Sequence, residues 1–195
     1  MTRTNAQTAL EEIWSLMVGA ESMAYIGESI SQLEHGLQTA DRAAELGAST
    51  TLVLAALLHD VGHLLKDHEQ MAALGVKDHE EVGADYLASL GFSKRVCELV
   101  RLHVDAKRYL CSKTPKYLEK LSDASVATLN WQGGPMTAVE CRVFEAHDLF
   151  KDALRLRSFD EYAKRTDIRS PNRVRYRTLM EDHLLHSKGQ YHATS

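Results

Sequence analysis

The apolar run Thr51-Leu-Val-Leu-Ala-Ala-Leu-Leu ends on the pair His59-Asp60, and this juxtaposition constrains the fold more than any other feature of the chain. A helix that is hydrophobic nearly all round has to sit in the middle of a core. The helix predicted over roughly residues 50 to 61 therefore carries an imidazole and a carboxylate inward at its end. Stranding a charge in that setting costs several kcal/mol. Metal coordination would satisfy both side chains together, and His35, His63, His79 and His103 are further imidazoles that a buried ion could recruit.

Helical periodicity governs the rest of the sequence. Leu10, Ile13, Trp14 and Met17 form one apolar stripe; Ile30, Leu33, Leu37, Ala40 and Ala44 form a second, which Gly47 is placed to close. Start signals recur along the chain. Asp78 precedes His79, and Ser93 precedes a stretch reaching Leu102 and His103. Thr114-Pro115 and Ser170-Pro171 put proline at a first helical position, while Thr137 with Glu140 and Ser158 with Glu161 have capping-box spacing. No run of alternating β-branched residues marks a strand, and Gly133-Gly134-Pro135 breaks the pattern without resembling a linker. The expectation is an all-α single domain, which 195 residues suffice to build without covalent staples.

Composition narrows the function. A formal net charge of -4 argues against nucleic acid as a main partner, because neutralising phosphates calls for a basic surplus. The late arginines at 155, 165, 169, 173, 175 and 177 read as solvated helix faces or oligomer contacts; Arg157 stands apart from them. Three cysteines without metal-type spacing, Cys97, Cys111 and Cys141, read as free thiols in a reducing compartment. No apolar run approaches the roughly 20 residues of a membrane span, and Met-Thr-Arg-Thr-Asn-Ala-Gln lacks the apolar segment of an export signal. The expected location is the cytoplasm, with no membrane partner.

The histidines divide into three sets. His35, His59, His79 and His103 are the candidate ligands beside Asp60. His63 follows His59 by four residues and shares its face if the helix continues, which suggests a contact to substrate or to a ligand rather than direct ligation. His68, His147, His183, His186 and His192 read as solvated residues.

The order His35, His59-Asp60, His79, His103 and a late Asp160 resembles the pattern of the HD-domain superfamily. In its dinuclear members one aspartate bridges two ions. The resemblance implies that one metal takes His35, His59, Asp60 and Asp160, and the other Asp60, His79 and His103. This nitrogen and carboxylate mix suits iron, manganese or another borderline ion. Longer segments are more specific: Tyr25 through Gln38, Leu54 through His63, His79 through Leu87, His103 through Leu110, Leu121 through Ser125, Gln132 through Met136 and Arg157 through Asp160. Together they resemble a branch of mixed-valence diiron oxygenases, related to myo-inositol oxygenase, that cleave organophosphonates.

That resemblance implies an HD-type helical bundle over residues 25–187, an N-terminal helical segment over 1–24 packed on it and a tail over 188–195. It implies two iron ions, Fe(II)/Fe(III), and two small-molecule reactants, a hydroxyphosphonate and dioxygen. The hydroxyl-bearing carbon becomes a carboxylate and inorganic phosphate leaves. The substrate expected first is (R)-1-hydroxy-2-(trimethylammonio)ethylphosphonate, giving glycine betaine; its unmethylated analogue, giving glycine, is close behind. Asp60, His63, Tyr25 and Glu28 are the implied catalytic residues. Lys107, Ser125, Thr128 and Arg157, with His63, would hold the phosphonate end; Tyr25 would gate the iron and Glu28 meet the ammonium. Tyr109, Trp131 and Tyr162 are candidates for an aromatic wall around a methylated amine. The competing expectation is a metal-dependent phosphohydrolase acting on a nucleotide or phosphate ester through metal-bound hydroxide, which leaves Tyr25 and Glu28 without a task.

Overall fold

The computed structural model describes residues 2–22, 30–65, 68–69, 71 and 75–186, and among them it contains nine α-helices and no β-strand. In chain order these are α1 (Arg3–Gly19), α2 (Gln32–Glu45), α3 (Thr50–Leu58), α4 (His79–Ser89), α5 (Lys94–Lys113), α6 (Asp123–Trp131), α7 (Ala138–Glu145), α8 (Phe150–Tyr162) and α9 (Arg173–His186). They form a single helical domain, as the periodicity predicts.

Helix α3 is the axis. Every residue from Leu52 to Leu58 is buried, and α2, α5, α8 and α9 all pack against it. Burying a Leu or Val side chain contributes about 1.5–3 kcal/mol relative to exposure, so this helix alone anchors much of the core. Ser49 caps it, its hydroxyl accepting from the Leu52 amide at 3.3 Å. Helix α1 lays Leu10, Ile13 and Met17 on the bundle and packs chiefly on α9.

The helix predicted over residues 50 to 61 ends earlier, at Leu58, with His59 as its C-cap. Asp60 follows, and Val61–Leu64 form a 3-10 turn. The cause is a backbone crossing: a Cβ on Gly62 would lie 2.0 Å from the His79 carbonyl oxygen, so the chain is pressed directly onto the start of α4. Gly36 makes the equivalent approach in α2, where a Cβ would meet the Leu57 carbonyl oxygen at 2.6 Å. These two contacts set how closely α2, the end of α3 and α4 converge.

The start signals fare unevenly. Thr137 and Glu140 form the predicted capping box, and Gly47 adopts the left-handed conformation, φ 65°, just past α2. Asp78 and Ser93 precede their helices, but neither side chain caps; the Ser93 amide donates to His183 Nε2 instead, which makes His183 a packing residue stacked on Phe92. Pro115 opens no α-helix and lies in a turn after α5. Ser158 and Glu161 both lie inside α8, so their spacing marks no start. The late arginines are largely ion-paired at the surface, Arg173 to Glu21, Arg177 to Glu11 and Arg165 to Asp167.

Candidate metal centre

Five backbone elements deliver six ligand-type side chains to one place. His35 comes from the first turn of α2, His59 and Asp60 from the end of α3, His79 from the first residue of α4, His103 from the middle of α5, and Asp160 from the last turn of α8. All six are buried or nearly so; Asp60, the most open, has a side-chain exposure of 13%.

They divide into two groups that could each hold an ion, His35 with His59 and Asp160, and Asp60 with His79 and His103. In the first, the His35 and His59 Nε2 atoms are 3.2 Å apart, and His35 Nε2 lies 3.2 Å from Asp160 Oδ1. In the second, the His79 and His103 Nε2 atoms are 3.1 Å apart, and each lies 3.5 Å from Asp60 Oδ1. The other oxygen of the same carboxylate, Asp60 Oδ2, faces His59 Nε2 at 3.3 Å and His35 Nε2 at 3.7 Å. One aspartate thus turns an oxygen toward each group.

The surroundings fit metal ligation. His35 Nδ1 sits 2.8 Å from the Ala163 carbonyl, His59 Nδ1 2.9 Å from that of Ala56 and His103 Nδ1 2.6 Å from that of Val100. His79 Nδ1 lies 3.4 Å from the Glu80 carboxylate. A carbonyl can only accept, so the ring proton resides on Nδ1 and the Nε2 lone pair points into the cluster, the arrangement by which outer partners orient metal-binding imidazoles. Two such lone pairs facing each other at about 3 Å repel unless a cation or proton lies between them. Asp160 Oδ1 is also buried without a hydrogen bond. Burial alone would raise the Asp60 carboxyl, but the positive charge this cluster draws in, first of all at His59, outweighs it and holds Asp60 well below the usual carboxylate range. Both aspartates are anionic ligands in waiting; burial would raise Asp160 as well, and the neighbouring Arg157 charge leads the influences that hold it well below the usual range.

Beside the clusters opens a small cavity. Its lining includes Asp60, His63, His79, His103 and Asp160 together with Lys107, Ser125, Thr128 and Arg157. Lys107, 4% exposed, donates to Thr128 Oγ1 at 3.0 Å. Burial and the Arg157 charge push its ammonium down to about 7. Arg157 donates through Nη1 to Asp160 Oδ2, while its Nη2 is buried with no hydrogen-bond partner. His63 lies in the 3-10 turn and stacks on His79, ring centroids 3.8 Å apart; it belongs to neither ligand group. Its Nδ1 accepts the Val76 amide, which leaves the ring proton on Nε2, and burial together with the His79 charge holds the ring neutral.

Two polar lining residues, Gln132 and Lys164, are given no role by sequence reasoning. Gln132 follows Ser125 and Thr128 at helical spacing, a signal that the adjacent Gly-Gly-Pro obscures. Lys164 lies beyond the end of α8 and donates to the Ser122 and Ser125 hydroxyls. Tyr25 and Glu28 lie outside the described residues. The proposed aromatic wall is not part of the lining: Tyr109 packs with Phe144 and Phe150, Tyr162 lies under Arg42, and Trp131 is 53% exposed.

Comparison with known proteins agrees with this architecture. Residues 33–150 match the HD domain. A protein of Gimesia maris named hydroxymethylphosphonate dioxygenase is 40% identical over 93% of this chain and 92% of its own length. A protein of Leisingera caerulea named [1-hydroxy-2-(trimethylamino)ethyl]phosphonate dioxygenase (glycine-betaine-forming) is 36% identical over 88% of each. An uncharacterized protein of Acanthamoeba polyphaga mimivirus is 41% identical over 84% of this chain and 76% of its own. The chain belongs to the HD-domain family and, within it, to the branch that contains these phosphonate dioxygenases.

Proposed function

We propose that this chain is a cytoplasmic dinuclear iron dioxygenase that breaks the carbon-phosphorus bond of a 1-hydroxyphosphonate. Its foremost substrate is (R)-1-hydroxy-2-(trimethylammonio)ethylphosphonate, which with one dioxygen yields glycine betaine and phosphate; the unmethylated analogue yields glycine in the same way. The observation that carries the reading is the Asp60 carboxylate turning one oxygen toward each histidine group beside a cationic cavity. Asp60 would bridge two irons, with His35, His59 and Asp160 completing one site and His79 and His103 the other. An Fe(II)/Fe(III) pair bound there supplies the redox chemistry with dioxygen.

The remaining steps belong to the chain's own groups. Lys107 and the free Nη2 of Arg157 receive the phosphonate oxygens, and the Thr128 and Ser125 hydroxyls complete the cradle. His63, neutral with its proton on Nε2, donates a hydrogen bond without adding charge. Glu28 would meet the ammonium, and Tyr25 would gate the iron until substrate arrives. The free thiols of Cys97 and Cys141, both buried, accord with a reducing compartment.

A second reading concerns the substrate's other end. The described lining of cations and hydroxyls serves the phosphonate, and hydroxymethylphosphonate, the substrate named for the Gimesia maris relative, asks for nothing more. Oxygen uptake and product identification by iron-loaded protein across the trimethylated, unmethylated and hydroxymethyl compounds decide among the three. Phosphate released equally well without air would sink the dioxygenase reading and favour hydrolysis.

A further inference from the structure

Arg157 is held on three sides, and the manner of its holding assigns work to two residues outside the cavity lining. Its Nε donates to the Tyr117 hydroxyl at 2.8 Å and to Glu161 Oε1 at 3.0 Å, and the Tyr117 hydroxyl itself donates to Glu161. Its Nη1 donates to Asp160 Oδ2. Yet Nη2 and Asp160 Oδ1, a cationic donor and an anionic acceptor on the same two side chains, are both buried and make no hydrogen bond. A guanidinium beside a carboxylate ordinarily closes a two-point fork. Here the fork stays open because the opposite edge of the guanidinium is already engaged.

We propose that Tyr117 and Glu161 are positioning residues that clamp the Nε edge of Arg157, so that Nη2 stays available to an anion in the cavity and Asp160 Oδ1 to the histidine group it faces. The inference rests on reading Arg157 as the phosphonate's partner. The geometry suits the task. Glu161 sits one turn after Arg157 on α8, and Tyr117, 7% exposed, reaches it from the turn after α5. Burial keeps the Tyr117 phenol protonated, so it can accept from Nε while donating to Glu161. Release of the clamp lets the guanidinium rotate into a two-point pair with Asp160, which withdraws both free atoms together.

The test exploits a sign. Removing a carboxylate near an anion site should, on charge alone, tighten anion binding; loss of the clamp should weaken it. Inorganic phosphate is titrated calorimetrically into iron-loaded, air-free wild type and into Glu161→Ala, Glu161→Gln and Tyr117→Phe, with thermal unfolding followed in parallel. Glu161→Ala is expected to weaken phosphate binding by about tenfold or more and to lower retained iron. Glu161→Gln, whose amide oxygen still accepts from Nε, should bind phosphate as well as wild type or better. Tyr117→Phe should fall between them, and in turnover the KM for a hydroxyphosphonate should rise more than kcat falls. Equal or tighter phosphate binding by both Glu161→Ala and Tyr117→Phe overturns the clamp, as does a wild type that binds no phosphate. Should Glu161→Ala fail to fold, the order of Tyr117→Phe below Glu161→Gln decides alone. If no hydroxyphosphonate is cleaved with dioxygen while the phosphate affinities keep this order, the clamp stands and the proposed reaction falls.

Discussion

Lys107 is an expensive residue to keep, and replacing it should make the protein more stable while disabling it. The residue is 4% exposed and its ammonium is displaced from 10.5 to about 7, first by burial and then by the Arg157 charge. A displacement of about three and a half pH units corresponds to roughly 4 kcal/mol at pH 7, where the unfolded chain holds the proton fully and the folded one only half. Lys107→Met preserves the packing of the stem but leaves Thr128 without its donor, a loss of about 1 kcal/mol. The metal-free variant should therefore be more stable than wild type by about 2–3 kcal/mol, or some 5–10 °C in Tm for a domain of this size. The pH dependence follows from the direction of the shift. Because the folded-state value lies below the unfolded one, the penalty is fully present below about pH 7 and disappears as the pH rises toward 10.5. Urea unfolding at pH 7 and at pH 10 measures both, and oxygen-dependent phosphate release measures the lost activity. A Lys107→Met protein less stable than wild type at pH 7, or one whose advantage persists undiminished at pH 10, would show that the lysine is structural and refute the argument.

Three further perturbations test other parts of the site. Asp60→Ala should abolish binding of both ions, since one carboxylate faces both histidine groups; elemental analysis giving one or two irons per chain would show that it bridges nothing. Gly62→Ala drives a Cβ to 2.0 Å from the His79 carbonyl, so the turn and α4 must separate at a cost of about 3 kcal/mol or more, and wild-type stability with full metal content would mean the crossing is not what sets the site. Trp131→Ala and Tyr162→Ala should leave kcat/KM for the trimethylated and unmethylated substrates within about twofold of wild type, as expected for surface positions; selective loss of the trimethylated substrate would restore the aromatic wall.

The kinds of residue at the centre were legible because the chemistry restricts them so severely. An apolar helix ending in His59-Asp60 leaves few alternatives to an ion, and the helical periodicity around it admits only a bundle. What sequence spacing cannot express is an approach between elements distant along the chain. Helix α3 stops at Leu58 because Gly62 crosses the His79 carbonyl, and nothing in the local pattern of residues 50–64 announces that crossing. Ser158 and Glu161 display the spacing of a capping box, yet the glutamate is spent on Arg157 within an uninterrupted α8. Tyr117 follows a proline that reads as a helix start and instead turns its hydroxyl onto a residue 40 positions away. Each misreading has the same origin: a local signal was available, and a tertiary contact at the site used the residue differently. Errors of this kind gather around the cavity for a physical reason, since that is where the fold leaves groups such as Arg157 Nη2 and Asp160 Oδ1 unsatisfied and must hold them so with neighbours drawn from elsewhere in the chain.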